Sequence, residues 1–347
     1  MNSAERVLTA LNGGIPDKIP MVELAIDTAV MEKIMPGSTW LDFYENFDID
    51  GVTVFYDIDY EDVGADLKRD YFGVVRNFKE MQGFFPTPIE PLIKPEMDAM
   101  EFLDTYKMPD PKDPKNLESL RQAIERLKGK KAVFFLMHSS LIYPIFIRGF
   151  ENYLMDYYLN SDFAKRLSEM VTDFFIELEK QAIEMGADAI VEAEDYAGNY
   201  GLWMSVDTLK EFVIPGLRRT IKVAKESNIP FIKHCDGDLW PILDLLRDEG
   251  IDCLNPVEPA AGMDIGLVKQ KYGKEVSLWG NIDCANLMTF GSPADVEKAT
   301  IECIKKAAHG GGHILSSSNT IHSAVPVENY MAMINTTRKY GNYPLNL

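Results

Sequence analysis

The run Pro230-Phe-Ile-Lys-His-Cys-Asp-Gly-Asp238 places three chemically versatile side chains at the end of an apolar stretch. The pattern predicts a buried strand that stops at a turn, with a helix from about Leu239. In α/β proteins the carboxyl ends of strands carry the chemistry. Histidine, cysteine and aspartate are residue types that bind metals or move protons. His234 and Asp236 stand two residues apart. An extended backbone therefore puts them on one face and Cys235 on the other. The competing reading is a capped turn, with Asp236 or Asp238 as N-cap and His234 packed in the core.

Other expected strand ends carry similar residues. They are Glu23 and Asp27, Tyr56-Asp57, His138-Ser-Ser, Glu192-Ala-Glu-Asp195, Asn281-Ile-Asp283-Cys284 and Ser316-Ser-Ser-Asn319. Carboxylates, histidines and amides on nearly every strand argue for a catalytic or metal site as a set. Glu192 and Glu194 share a face if the strand is regular. Carboxylates crowded together repel, so either one is protonated or a cation sits among them. His234, Asp236 and the acidic group Glu192, Glu194 and Asp195 could give Zn2+ three ligands and leave a position open. Cys235 and Cys284 are alternative thiolate ligands, although cysteine is more often a small buried hydrophobe. His322 follows the Ser/Asn run and suits either surface or site. His309 and His313 flank a Gly-rich turn and read as structural.

The elements that must position these residues alternate between strand and helix. Apolar runs at 21–26, 50–56, 132–138, 188–194, 230–234, 253–257, 276–282 and 312–317 predict eight strands. Helical spacing follows at 163–186, 206–227, 239–249, 264–272, 293–309 and 327–340, and a further helix opens the chain at Ser3, a candidate N-cap. Eight strand–helix units are the count for a (β/α)8 TIM barrel. An open doubly wound sheet is the alternative, but no Gly-x-Gly-x-x-Gly turn follows the first strand. Residues 58–130 break the rhythm. A hairpin at Val74–Phe85, a proline-rich stretch and a charged helix at Leu117–Leu127 predict an inserted segment packed on the barrel. The whole chain, 1–347, then reads as one domain.

Composition narrows the partners. The 347 residues carry 35 basic and 54 acidic side chains, net −19, which argues against a broad nucleic-acid interface. Four cysteines in a chain this long make no disulfide framework and point to a reducing, cytoplasmic setting. The first residues lack the pattern of a signal peptide. No apolar run approaches the ~18 residues of a membrane span. Small molecules or a less acidic protein are the expected partners, and pairing as a homodimer is left open.

Several segments together resemble the uroporphyrinogen decarboxylase superfamily over nearly the full chain. They are Glu5-Arg-Val-Leu-Thr-Ala-Leu-Asn12 with Pro16-Asp-Lys-Ile-Pro20, Arg148-Gly-Phe-Glu-Asn152, Gly186-Ala-Asp-Ala189, Phe212-Val-Ile-Pro215, His234-Cys-Asp-Gly237, Gly280-Asn-Ile-Asp283, and Gly311-Gly-His-Ile-Leu315 with Pro326-Val-Glu-Asn329. The resemblance implies a (β/α)8 barrel with its site in the mouth, and one of two chemistries. One is cofactor-free decarboxylation of uroporphyrinogen. The other is methyl transfer involving corrinoid proteins or coenzyme M, assisted by zinc.

The decarboxylase pattern is poorly kept. The arginine-rich segment expected after the first strand reads Met21-Val-Glu-Leu-Ala-Ile-Asp-Thr-Ala-Val30. Such a mouth would repel a substrate with eight carboxylates. By resemblance, Asp57 takes the place of a pyrrole-binding aspartate. The catalytic tyrosine position falls near Ile145, close to Tyr143. Asp195 stands at the active-site serine and Asn319 near the late histidine. Against the methyltransferase pattern His-x-Cys plus a later Cys, His234 is kept, Asp236 takes the first Cys position and Asn319 lies near the second. Oxygen ligands make a harder, more Lewis-acidic site, suited to polarising an ether oxygen as a methyl group leaves.

The resemblance thus implies a methyltransferase acting on a small, methoxylated donor, with zinc and with cobalamin carried by a separate corrinoid protein. Its catalytic set is Asp57, Asp195, His234 and Asn319. Substrate contacts come from Glu23, Tyr56, His138, Tyr143, Asn281, Asp283 and His322. Metal ligands are His234 and Asp236, joined by Glu192, Glu194 or Cys235. The alternatives are a decarboxylase and a non-catalytic binder of a tetrapyrrole or corrinoid.

Overall fold

A computed structural model describes residues 1–82 and 85–347. The chain is a (β/α)8 TIM barrel. Its strands are β1 (Ala25–Ile26), β2 (Gly51–Phe55), β3 (Ala132–Met137), β4 (Ala189–Ala193), β5 (Phe231–His234), β6 (Cys253–Asn255), β7 (Ser277–Trp279) and β8 (His313–Ile314). Strands β2 to β8 pair side by side, all parallel. The segment leading into β1 closes the ring. Asp50 N donates to Met21 O at 2.7 Å on one side, and Leu315 N donates to Pro20 O at 2.9 Å on the other.

Parallel strands in a barrel are covered on both faces, so they read as continuous apolar runs. Ala132-Val-Phe-Phe-Leu-Met137 is buried at every position. Alternation sorts the side chains into two layers. Val22, Phe134, Ala189, Val191, Ile232, Cys253, Trp279 and Ile314 fill the barrel. Ile190, Leu254 and Leu278 face the helix layer. The first helix (Ser3–Leu11) sends Val7, Ala10 and Leu11 into the lower end of the barrel core. Its cap is Asn2, in a capping box with Glu5, one residue before the expected Ser3. Ser277 Oγ donates to the Ala10 and Leu11 carbonyls, satisfying the helix's open C-terminus.

The helix expected across 206–227 breaks in two, Val206–Phe212 and Ile214–Glu226, because Pro215 suits only a first turn. Two short helices after β1, Thr28–Ile34 and Trp40–Asn46, have no strong periodicity and rest on side-chain caps at Asp27 and Thr39. No helix among the described residues is long and apolar enough to cross a membrane.

The inserted segment holds more strand than the expected hairpin. Tyr60–Gly64, Leu67–Asp70, Val75–Gln82 and Phe85–Glu90 form a four-stranded antiparallel sheet. Its first two strands are polar and mostly exposed, so they carry no apolar alternation to announce them. Residues 83–84 of the expected hairpin Val74–Phe85 lie outside the described residues. The helix Glu118–Leu127 packs on β2 and β3 and takes the place of the barrel's second helix.

Candidate active site

A cavity of about 540 Å3 opens at the carboxyl ends of the strands. His234, at the end of β5, faces into the barrel mouth beside Asp195 and Asp236. One ligand atom from each of these three residues lies within 4.8 Å of the others. His234 Nδ1 is 2.5 Å from Asn255 Oδ1. The amide of Asn255 is oriented by its own donation to the Trp279 carbonyl at 2.9 Å. Nδ1 therefore carries the proton and Nε2 presents its lone pair to the mouth. Nε2 lies 3.8 Å from Asp236 Oδ1.

Asp236 is held from two sides. Its N–H donates to Asp195 Oδ1 at 2.8 Å, and its Oδ2 accepts from Asn319 Nδ2 at 2.7 Å. Its Oδ1 is buried without a hydrogen-bond partner. Burial, then the Asp195 and Glu258 carboxylates, hold the Asp236 carboxyl well above its usual range. Burial holds His234 below its usual range. Left to themselves, these groups prefer their neutral forms. A bound divalent cation would displace the proton held by the carboxyl, offset the repulsion between carboxylates and complete the orphaned oxygen. One imidazole and two carboxylates form a donor set that fits Zn2+ or a similar ion. Gly237 follows with φ +92, and a Cβ there would lie 2.7 Å from the Ala197 carbonyl carbon. Only glycine lets the chain turn away so close to that backbone.

Above this floor the walls are aromatic. Tyr56, Tyr143, Phe146, Phe150 and Trp203 line the cavity with Ile142, Ile145, Pro86 and Pro88. The rings of Tyr56 and Tyr143 lie 5.9 and 5.5 Å from that of His138. His138 Nδ1 donates to the Ala193 carbonyl at 2.5 Å, leaving Nε2 as an acceptor. Burial pushes His138 down to about 3, so it stays neutral.

A model of the uroporphyrinogen decarboxylase (URO-D) family matches residues 2–340. The chain belongs to the URO-D family. Among curated proteins it is 26% identical to a methylated-thiol–coenzyme M methyltransferase of Methanosarcina mazei over 223 residues, 64% of this chain and 57% of that one. It is 24% identical to a uroporphyrinogen decarboxylase of Coxiella burnetii over 193 residues, 53% of this chain and 49% of that one. The chain thus spans about half the length of the curated relatives it matches. A solved methyltransferase structure from Methanosarcina mazei shares the fold, with a TM-score of 0.75, 18% identity and coverage of 98% and 99% of the two chains. The longer curated match and the full-length structural one are both to methyltransferases.

In this URO-D family member the mouth gathers Tyr56, His138, Tyr143, Asp195, His234, Asp236 and Asn319. The other candidates lie elsewhere. Glu192 and Glu194 do share a face, but it is the outer one. Glu192 pairs with Lys233 and accepts from Ser139 Oγ at 2.5 Å. Glu194 accepts the backbone N–H groups of Ser139, Leu141 and Ile142 at 2.8, 2.8 and 3.2 Å. Cys235 is fully buried in the helix-side core, its sulfur accepting from Tyr196 N at 3.2 Å. None of the three reaches His234 Nε2 as a ligand group. Asp57 caps the helix Glu118–Leu127 by accepting from Ser119 N and Oγ at 2.8 and 2.5 Å. Glu23 is buried against Ser317, its carboxyl pushed up to about 8 by burial. Asn281 and Asp283 line a separate, shallower hollow. His322 pairs with Thr289 at 3.3 Å, outside the cavity lining. His313 is buried against the Gly280 carbonyl and His309 is exposed.

Sequence reading did not single out Asn255, Arg76, Glu258 or Trp203. The Asn-Pro ending of β6 was a signal for Asn255, since a polar residue closing an apolar strand sits at the mouth.

The outer face of β4 also holds Glu179, from the helix Ser161–Met185. Both its carboxyl oxygens are buried without partners. Burial, reinforced by Glu192, raises its carboxyl from 4.5 to about 9. The folded state therefore keeps a proton that the unfolded state gives up. That contribution to stability is present below pH 4.5 and is lost as pH rises towards about 9. Glu179→Gln should stabilise the protein at pH 8 by about 1–3 kcal/mol and have little effect at pH 4. Urea unfolding at both values checks this. Equal midpoint shifts at the two values would show that Glu179 does not titrate in this window.

Proposed function

We propose that this chain is a methyltransferase that takes a methyl group from a small methoxylated donor and delivers it to the reduced cobalt of a separate corrinoid protein. The observation that carries the reading is the buried, unpartnered Asp236 Oδ1 beside the free Nε2 of His234, on the floor of an aromatic cavity. His234, Asp236 and Asp195 would hold the metal. When bound, such an ion supplies Lewis acidity, drawing electron density from the ether oxygen so that its methyl group can leave.

The chain's own residues do the rest. Asn255 fixes the tautomer and plane of His234, and Asn319 fixes Asp236. Tyr56, Tyr143, Phe146 and Trp203 exclude water and hold a flat donor in place. The methyl group leaves without its bonding pair, which stays on oxygen. The new bond takes both electrons from cobalt. The longer curated match, to a methyltransferase, supports methyl transfer over decarboxylation of uroporphyrinogen. So does the cavity lining, in which Arg76 is the one arginine among the described residues. Asp57 is committed to a helix cap.

The test is anaerobic methylation of free cob(I)alamin by the purified protein with methoxylated aromatic donors, followed by absorbance. Protein-dependent conversion is expected, lost after chelation and restored by zinc. No transfer from any such donor, together with carbon dioxide release from uroporphyrinogen or a smaller acid, would return the chain to the decarboxylases.

A further inference from the structure

Methyl transfer leaves one cavity residue unexplained. Arg76, on the inserted strand Val75–Gln82, is 4% exposed and lines the cavity. Its Nε donates to Asp70 Oδ2 at 2.8 Å. Asp70 is itself pinned, its Oδ1 accepting from Phe72 N and Val74 N at 3.1 and 2.9 Å. The guanidinium carbon also lies 4.8 Å from the Phe146 ring centre and 5.8 Å from that of Tyr143. The head group is thus held in one plane before anything binds.

The other two buried arginines each spend at least one Nη atom on the protein. Arg6 gives them to Asp50, Asp17 and the Met1 carbonyl, and Arg148 gives Nη1 to the Ile93 and Lys94 carbonyls. Arg76 bonds through Nε alone, so among the described residues its Nη pair has no protein acceptor. A fixed guanidinium with free Nη atoms on a cavity wall is built for a planar anion.

The anion site and the triad lie apart. Arg76 stands against Tyr143, the Tyr143 ring is 5.5 Å from that of His138, and His138 bonds the Ala193 carbonyl beside β5. Among the described residues Arg76 pairs with Asp70 and with neither Asp195 nor Asp236, so the aromatic row stands between the guanidinium and the triad's carboxylates without an ion pair joining them. The separation matters, because Asp195, Asp236 and Glu258 would repel an anion held close to them.

We propose that the cavity takes an aromatic carboxylate, its carboxylate on the Nη atoms of Arg76 and its ring among Tyr56, Tyr143 and Phe146. On the methyl-transfer reading, on which this step rests, that ligand is the donor, with its methoxy oxygen at the His234–Asp236 end. The inserted sheet would then set donor specificity while the barrel strands set the chemistry.

The probes are 4-methoxybenzoate and its neutral isostere 4-methoxybenzamide, titrated by calorimetry into the metal-loaded protein. The wild type is expected to prefer the carboxylate by about 10–100-fold, the range for charge-assisted hydrogen bonds. Arg76→Met should erase the preference, weakening carboxylate binding far more than amide binding, and Arg76→Lys should restore part of it. Equal affinities in the wild type, or a preference that survives Arg76→Met, would overturn the proposal. If Arg76→Met leaves Asp70 uncompensated and fails to fold, Arg76→Met/Asp70→Asn makes the same comparison. The wild-type comparison needs no variant. An Arg76-dependent preference without methyl transfer to cob(I)alamin would sink the methyl-transfer reading and leave the anion site standing. Transfer from an uncharged ether, with no benzoate binding, would do the reverse.

Discussion

On the metal-assisted methyl-transfer reading proposed above, a His234→Ala variant is expected to fold, to bind no metal and to transfer methyl groups at least about 10^3-fold more slowly than the wild type. The imidazole is the one nitrogen donor in the triad, and the two carboxylates left behind repel each other with no neutral partner between them. The fold should tolerate the loss. His234 ends its strand at the open mouth, and the cavity beside it is roomy enough for water to replace the ring. The structural cost is the Asn255 Oδ1 left without its donor, about 1–3 kcal/mol if no water reaches it. Three measurements decide the matter: metal per chain, the rate of cob(I)alamin methylation, and thermal unfolding of the apoproteins. The comparison must use apoproteins, because a bound ion would itself stabilise the wild type. Retained metal or unchanged turnover would remove His234 from the site.

Lys233→Met is expected to cost about 3–5 kcal/mol of stability, the range for removing one partner of a fully buried ion pair. Lys233 and Glu192 are both 0% exposed. Lys233 Nζ also donates to the Glu194 carbonyl at 2.8 Å and lies 4.1 Å from the Tyr196 ring centre. Methionine fills much of the volume but leaves the Glu192 carboxylate without its cation. A total stability of about 5–15 kcal/mol is usual for a folded domain, so the loss is a large part of it. Lys233→Met/Glu192→Leu should recover part of the loss, since it removes both charges. Urea unfolding midpoints of the two variants check both statements. A single variant within about 1 kcal/mol of the wild type would mean that the pair is a weak contributor.

Much of the barrel was legible because parallel strands must be apolar on both faces. The runs at 132–138 and 230–234 became β3 and β5 with their ends displaced by no more than one residue. The mouth was legible for a related reason, since a polar residue that abruptly closes such a run can only sit at an end. His138, His234 and Asp236 came together on that logic. Glu192 and Glu194 show where the logic stops. A period of two shows that they share a face but not which face, and a one-residue shift exchanges barrel and helix layer. The deciding clue was on the neighbouring strand. Lys233 pairs in register with Glu192, and a lysine inside an apolar strand needs a buried carboxylate. Arg76 was out of reach altogether, because nothing local links a polar inserted sheet to His138, His234 and Asp236, which lie 60 or more residues further along the chain.

The first helix has a consequence for traffic. Its seating of Val7, Ala10 and Leu11 in the foot of the barrel makes the molecule a cup, not a tube. Whatever reaches His234 enters by the rim, and whatever is formed there goes out the same way. If the methyl acceptor arrives on a protein large enough to cover that rim, donor and acceptor share one doorway. The donor must then be seated first, and an acceptor protein docked too early blocks its own supply. Turnover would pass through an optimum as acceptor protein is raised at fixed donor, and the optimum would move to higher acceptor concentration as donor is added.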